Sequence, residues 1–328
     1  MRVGLTYDLR KDYLAEGHTP EDVAEFDSEE TIAALDGAIR SLGYRTDRIG
    51  RARALCERLV AGETWDLVFN IAEGLGGRSR EAQVPCLLEL YGIGYTFSDP
   101  MVCAATLDKA VAKRLIRDAG LPTARFHVVR QIEDIARVRL EYPVFAKPAA
   151  EGTGKGIDER SRIETPDELI RTCQDRLRRF AQPVLVEEFL PGREFTVGVL
   201  GNGPDARVLG TMEIEMRDCP TGGIYSYRGK EQCERLVRYR RPERNGLIEQ
   251  VERLGLEAHR TLECRDASRV DIRCDRSGRP CFMEINPLPG LHPTHSDLPM
   301  IAAQEGMAYE ELIGSIIRSA LNRLASRP

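Results

Sequence analysis

Residues Arg269 to Gly290 read RVDIRCDRSGRPCFMEINPLPG, and the fold turns on how this stretch pairs with itself. Val270, Ile272 and Cys274 alternate with Arg269, Asp271 and Arg273; further on, Cys281, Met283 and Ile285 alternate with Phe282, Glu284 and Asn286. Period two with turn residues between two such runs predicts a β-hairpin with one apolar and one polar face. With Ser277-Gly278 as a two-residue loop, Asp271 faces Glu284 and Arg269 faces Asn286; a three-residue loop or a bulge shifts that register. Two carboxylates roughly 5 Å apart repel unless a cation lies between them. Two carboxylates and an Asn amide are hard oxygen ligands, suited to Mg²⁺ shared with phosphates rather than to zinc. The alternative is a solvated face whose acids are neutralised by Arg273 and Arg279. Pro287, Pro289 and Gly290 then fix a tight loop whose backbone N–H groups can face an anion.

Working outward, Tyr142 to Lys147 reads as a strand running into Glu151-Gly152-Thr153-Gly154-Lys155-Gly156. This is not a Walker A loop, because Gly156 follows the Gly-Lys pair and Ala149 stands where that motif needs glycine. Its glycines still let backbone N–H groups approach a phosphate, with Lys147 and Lys155 supplying charge; a structural turn is the alternative. Asp108 to Ala119 reads as a helix stopped by Gly120, with Lys109 near its start as a phosphate ligand or a solvated lysine. Pro183 to Phe189 and Glu194 to Leu200 are strands joined by a turn. Such a segment can hold a nucleotide by backbone groups and by a carboxylate on the ribose, with Glu187, Glu188 and Glu194 as candidates. Residues 216–240 have no helical or strand period, and a long loop inside a compact domain is usually functional.

The first hundred residues alternate strand and helix, the pattern of a parallel α/β domain. Arg2 to Tyr7 is a strand, and the acidic stretch to Phe26 reads as a surface loop or irregular helix. Asp27 with Glu30 resembles a capping box ahead of a helix carrying Ile32, Leu35, Ile39 and Leu42 on one face. Asp66 to Ile71 is a buried strand delivering Glu73-Gly74-Leu75-Gly76-Gly77-Arg78, a loop placed where α/β folds bind ligands, or a plain turn. A helix over 81–91, a strand over 94–96 and a boundary at Ser98-Asp99-Pro100 complete this part. The chain closes with an amphipathic helix from Tyr309 to Leu324.

With 328 residues the chain is long enough for two or three domains. A net charge of -5, with no basic patch, argues against nucleic acid as the main partner. No stretch approaches the apolar length of a membrane span, and the N-terminus lacks a signal-peptide core, so the expectation is a cytoplasmic protein. Nine cysteines, an odd number without close pairs, read as reduced core residues.

Four stretches, TLDKAVAKRLIRDAGLP, FAKPAAEGTGKGI, VLVEEFLPGREFTVGVLG and MEINPLPG, closely resemble the ATP-grasp ligases, specifically their D-alanine:D-alanine ligase branch. The resemblance implies a mixed α/β (α+β) chain of three domains. An N-terminal parallel α/β domain (1–98) is followed by central (99–187) and C-terminal (188–328) ATP-grasp domains, with ATP between the last two. It implies activation of a carboxylate as an acyl phosphate and attack by an amine, releasing ADP and phosphate. Asp271, Glu284 and Asn286 would hold two Mg²⁺, for which Mn²⁺ can substitute. Lys109 and Lys147 would bind phosphates beside the Gly152 and Gly154 backbone. Glu187 would meet the adenine amino group, Glu194 the ribose, and the backbone from Glu187 through Glu188 to Leu190 the adenine edge. Arg269 and the Gly290 N–H would stabilise the oxyanion. Thr153 stands where a Ser orients a substrate contact, Lys230 matches a lid lysine, and Ser296 matches a Ser that binds the second substrate's carboxylate. The partners implied are small amino-acid-like molecules, with a homodimer as the assembly the resemblance allows.

Three departures fall where substrates bind. Glu231 replaces a Tyr after the lid lysine. Glu73-Gly74 replaces a His-Gly pair, followed by Arg78-Ser79-Arg80 in place of an acidic run. The loop after Gly290, LHPTHSDLP, is one residue longer. With Glu25 or Asp27 as the acid for the substrate ammonium, these changes predict a substrate pair other than two D-alanines. The alternatives are that these residues pair with one another, Glu73 with Arg78 for instance, in a true D-alanine:D-alanine ligase, or that the chain binds nucleotide without catalysis.

Overall fold

The structure, a computed structural model, describes residues 1–216 and 237–326. Three sheets organise it. The first is parallel, with β1 (Arg2–Thr6) between β2 (Arg45–Gly50) and β3 (Leu67–Asn70). Around it lie α1 (Arg10–Ala15), α2 (Glu29–Ser41), α3 (Ala52–Val60) and α4 (Gln83–Leu90). The second is antiparallel, in the order β4 (Phe126–Val129), β7 (Val184–Glu188), β5 (Val144–Pro148), β6 (Arg162–Ile163), with α7 (Pro166–Phe180) packed on it. The third is also antiparallel, in the order β10 (Val237–Arg240), β9 (Arg207–Met216), β8 (Glu194–Leu200), β11 (Ala267–Cys274), β12 (Pro280–Asn286).

The third sheet is covered on both faces, one through the apolar face of β8 and the other through Leu200 with Leu209 and Met212 of β9. Phe195, Val197 and Val199 pack with Ile116 of α6 (Lys109–Asp118), Val102 of α5 (Pro100–Leu107) and Val251 of α8 (Gly246–Thr261). Leu200 joins the core built from α9 (Asp297–Gln304), α10 (Tyr309–Ala325), α2 and β1, so the first and last stretches of chain share one apolar cluster. Asp266 ties this arrangement together. Fully buried, it accepts from the Phe97 N–H at 2.8 Å, from Asn202 Nδ2 at 3.0 Å and from Arg323 Nη2 at 2.8 Å.

The hairpin forms in the expected register, though by another route. Its loop is Arg276-Ser277-Gly278, three residues, with Cys274 opposite Pro280 and Gly278 in the left-handed region at φ +85°. Asp275 Oδ1 closes the loop by accepting from Ser277 and Arg279 N–H groups. A bulge between Asp271 and Ile272 then restores the pairing, so Asp271 faces Glu284 and Arg269 faces Asn286.

Other expectations are corrected. The stretch from residue 8 to 26 carries a short helix, α1, the second of its two expected forms, but it is not all surface: Tyr13, Val23 and Phe26 make a small buried cluster of their own. Ser28, not Asp27, caps α2, accepting from the Thr31 N–H, because Asp27 is engaged through its backbone with Asp8 and Arg10. The strand over 94–96 shrinks to one bridge, Val68 to Tyr95. Asp99 is the N-cap of α5, accepting from Val102 N–H. Of the aperiodic 216–240 segment, Met216 ends β9 and Val237–Arg240 form β10, and 217–236 lie outside the described residues. Five of the seven described cysteines are buried, but Cys86 is exposed. No described helix is long and apolar enough to cross a membrane.

Asp266→Asn is expected to lower unfolding free energy by about 2–3 kcal/mol, since the half-buried Arg323 side chain loses its counter-charge. A urea midpoint unchanged from wild type would contradict this role for Asp266.

Candidate active site

β11 lies between β8 and β12, so its polar residues are met from both sides. Thr196 on β8 donates to Asp271 Oδ1 at 2.9 Å, and Arg269 donates through Nη2 to Asp271 Oδ2 at 2.8 Å. Arg269 Nη1 donates to Asp297 Oδ2 at 2.9 Å, where α9 begins. Burial pushes the Asp271 carboxyl up, Arg269 draws it back and Glu284 and Asp297 push it further, to about 6. Burial disfavours the Arg269 charge, but Asp271, Asp297 and Glu284 outweigh it and hold its pKa above the ordinary value. The acid on this face is thus met by Arg269 rather than by Arg273 or Arg279. Arg273 instead reaches Glu194 at 3.3 Å.

Behind the hairpin is a row of lysines. Lys147 on β5 and Lys113 on α6 hold Glu187 on β7 from two sides, at 2.9 and 2.8 Å. Burial opposes ionisation of Glu187, yet the two ammonium groups draw its pKa down to about 2. Lys109, one helical turn before Lys113, lies 3.4 Å from Glu284 and donates to the Glu151 carbonyl. Glu188 turns to Arg125, whose Nε donates to it at 2.7 Å, and Leu190 is buried beside Ala124 and Cys281. Thr153 and Gly154 are both left-handed, at φ +51° and +72°.

A cavity of about 960 Å³ joins the hairpin to the first sheet. It brings together Glu25, Asp27, Glu73, Lys109, Gly152, Thr153, Arg269, Glu284, Asn286, Gly290 and Ser296. Asp271, Lys147, Gly154, Glu187, Glu188, Leu190 and Glu194 lie outside its lining. Lys230 and Glu231 lie outside the described residues. Glu25 closes one end, accepting from the Gly152 N–H at 2.5 Å and from Arg80 Nη2 at 2.8 Å. A Cβ at residue 152 would strike that carboxylate. At the other end Ser296 Oγ accepts from the His292 N–H at 3.0 Å and leaves no room for a Cβ at Gly290.

The expected alternative pairing of Glu73 with Arg78 does not form. Arg78 reaches across to Asp108 at 2.6 Å, and Arg80 is committed to Glu25 and to the Ala150 carbonyl. Burial, then Glu81 and Glu25, push the Glu73 carboxyl well above the usual range. Burial likewise lifts Glu81 and Asp27 to about 7 each. Glu81, Lys113, Thr196 and Asp297 are site residues that the sequence reading missed. Lys113 was detectable as the i,i+4 neighbour of Lys109. Nothing in the spacing of Glu73 and Glu81 puts them together.

Asp271, Glu284 and Asn286 fit a hard divalent cation by their chemistry. Asn286 Nδ2 is buried without a hydrogen-bond partner among the described residues. With only two carboxylates there, no described group of three His, Cys, Asp or Glu converges, and phosphate oxygens would complete the set.

A family model described as the D-ala D-ala ligase C-terminus matches residues 115–318. An uncharacterized protein, y4sG, of Sinorhizobium fredii is 34% identical over 268 residues, covering 79% of this chain and 76% of that protein. A D-alanine--D-alanine ligase of Actinobacillus pleuropneumoniae serotype 5b is 33% identical over 292 residues, 87% of this chain and 90% of its own. Among solved structures, the D-alanine--D-alanine ligase of Bacillus anthracis complexed with ATP aligns over 98% of both chains, with a TM-score of 0.73 and 22% identity. The VanG D-Ala:D-Ser ligase of Enterococcus faecalis aligns over 97% of this chain and 99% of its own, with a TM-score of 0.75 and 19% identity. These two structural matches carry the fold: a mixed α/β chain of the ATP-grasp type.

The acids set a pH dependence. Asp27 and Glu81, raised to about 7, contribute stability that is fully present below their unfolded pKa values and lost as pH rises through about 7. Glu187, held at about 2, contributes stability present above its unfolded pKa and lost as pH falls through about 2. The thermal midpoint of the free protein is therefore expected to fall between about pH 5 and pH 7, and Glu81→Gln to flatten that fall. Melting followed by circular dichroism at half-unit steps checks it; a wild-type midpoint constant over this range would refute the assignment.

Proposed function

The chain belongs to the D-ala D-ala ligase family, and from that premise we propose how its residues divide the work and which substrates they select. It is an ATP-dependent ligase that joins a carboxylate to an amine of small amino-acid substrates, forming a peptide bond. A carboxylate oxygen attacks the γ-phosphorus of ATP and ADP leaves with the bonding pair. The amine then attacks the acyl carbon of the acyl phosphate, phosphate departs, and the amine gives up its proton.

One observation carries the assignment of roles: a single cavity joins the Arg269, Glu284 and Asn286 face of the hairpin to Lys109, the Gly152 loop and the acidic wall of the first sheet. In this reading Lys109 and Lys147 bind phosphates, Gly152 and Gly154 bring N–H groups close to them, and Glu187, Glu188 and Leu190 meet the adenine. Glu194, loosely paired with Arg273, takes the ribose. Asp271, Glu284 and Asn286 would hold two Mg²⁺, or Mn²⁺ in their place, which when bound neutralise charge on the transferring phosphate. Arg269 and the Gly290 N–H stabilise the oxyanion that develops at the acyl carbon; such preorganised donors often contribute most to catalysis. Fixed between Asp271 and Asp297, Arg269 needs little reorganisation to do so. Thr153 positions the first substrate, Ser296 takes the second substrate's carboxylate, and Lys230 and Glu231 are assigned by resemblance alone. The units 1–98, 99–187 and 188–328, a homodimer and a cytoplasmic location belong to the same reading.

Substrate choice departs from two D-alanines. Glu25 is already engaged by Arg80 and Gly152, while Asp27 and Glu73 face the cavity without a salt bridge among the described residues. A buried acid left unpaired by a plain alanine costs about 1–3 kcal/mol of binding. The names of the relatives favour a second reading, a ligase of two D-alanines. Retention of Lys147, Arg269, Asp271, Glu284 and Asn286 speaks against a binding protein without catalysis.

Glu284→Gln is expected to lower turnover at least a hundredfold, about 3 kcal/mol in the barrier, while the far-ultraviolet spectrum stays unchanged. Phosphate release near the wild-type rate in Mg²⁺ would remove the hairpin from the metal site. A screen of phosphate release over D- and L-amino acids, singly and in pairs, should find a pair better than two D-alanines. Efficient D-alanyl-D-alanine formation with no better pair restores the second reading.

A further inference from the structure

The acids of the first-sheet wall outnumber the cations that could neutralise them. Glu25 is paired with Arg80, Glu151 with Lys155 at 3.1 Å, and Lys109 with Glu284. Arg10 gives its Nη2 to the Ala24 and Phe26 carbonyls. Asp27, Glu73 and Glu81 remain, lining the cavity with no side-chain hydrogen bond or ion pair among the described residues. Glu81 is the most telling. It is only 7% exposed, and it feels Arg80 and Lys109 through space without touching either.

A buried carboxylate without a partner is costly, and proteins seldom keep one unless something completes it. Here burial, with repulsion from Glu25 added, raises the Glu81 carboxyl to about 7, and burial, then Glu81 and Glu25, push the Glu73 carboxyl up as well. A cation entering between them would let both ionise. The α-ammonium of an ordinary amino acid supplies one positive charge, for which Glu25 or Asp27 suffices. Glu73 and Glu81, on the loop after β3 and on the turn leading into α4, then remain without a counter-charge.

Resting on the proposed ligase reaction, we infer that the first substrate is a basic amino acid whose side chain carries a second ammonium group, received by Glu73 and Glu81. The α-carboxylate of that substrate lies toward Arg269 and Gly290, where it is activated. Its side chain runs along the cavity to the first sheet. In neutral amino acids nothing reaches the two acids, and their desolvation is left uncompensated.

Phosphate release is to be measured with the full-length protein, ATP and Mg²⁺, using both enantiomers of 2,4-diaminobutyrate, ornithine, lysine and alanine as first substrates. The expected result is a kcat/KM at least tenfold higher for one of the basic amino acids than for either alanine. Glu81→Gln is expected to reduce that ratio at least tenfold, mainly through the KM of the basic substrate. Calorimetry of 2,4-diaminobutyrate and alanine binding, in buffers of different ionisation enthalpy at pH 7, should show tighter binding of the diamino acid and release of protons on binding. A preference for alanine, or a ratio that Glu81→Gln leaves unchanged, would overturn the inference. Should no amino acid release phosphate, the ligase reading fails by itself, and calorimetry still decides this one. At least tenfold tighter binding of one diamino acid supports it, and equal or weaker binding of all of them refutes it.

Discussion

Arg269 is held between Asp271 on its own strand and Asp297 at the start of α9, and much of the molecule depends on that half-buried bridge. A guanidinium can be removed from water only where carboxylates meet it in good geometry. To supply them, β11 must lie against β8, from which Thr196 reaches Asp271, and α9 must begin where Asp297 can meet Nη1. Leu200 of β8 and the apolar faces of α9 and α10 enforce that placement by packing against the first sheet. The same packing brings the Gly290 loop and Ser296 to one end of the cavity.

Charge is divided across the site. Beside the second sheet, outside the lining of the cavity, Lys113 and Lys147 converge on one carboxylate, so the fixed charge there is cationic and suited to phosphates. On the side of the first sheet the balance reverses, and burial first, then neighbouring carboxylates, raise the Glu73 and Glu81 pKa values. A ligase that brings a polyphosphate to one side of an amino acid and recognises amines on the other needs both fields next to each other. Low local dielectric makes each worth more than in water.

Much of this was legible in sequence. The period of Arg269–Asn286 predicted both cross-strand pairs, and the Lys147 strand ran into its glycine loop as expected. Signals for elements that were passed over were also present: Thr165 before Pro166 opens α7, and Asn245 caps α8. The hairpin reached its register by compensation, an odd loop offset by a bulge. Alternation along the strands cannot show this, because two one-residue errors of opposite effect leave the pairing intact.

What the sequence by itself determined is the chemistry available and the local geometry that presents it: lysines, carboxylates and glycines at fixed spacings on strands and turns. Such patterns are short-range, set by side-chain alternation and backbone preference, so they survive reading one residue at a time. Only the tertiary structure decided which charges neutralise each other. Arg78 goes to Asp108, thirty residues away, and Arg80 to Glu25, fifty-five away, so Glu73 meets no arginine. Ion pairing depends on distance and burial after the sheets have packed, and both are properties of the assembled chain rather than of any stretch within it.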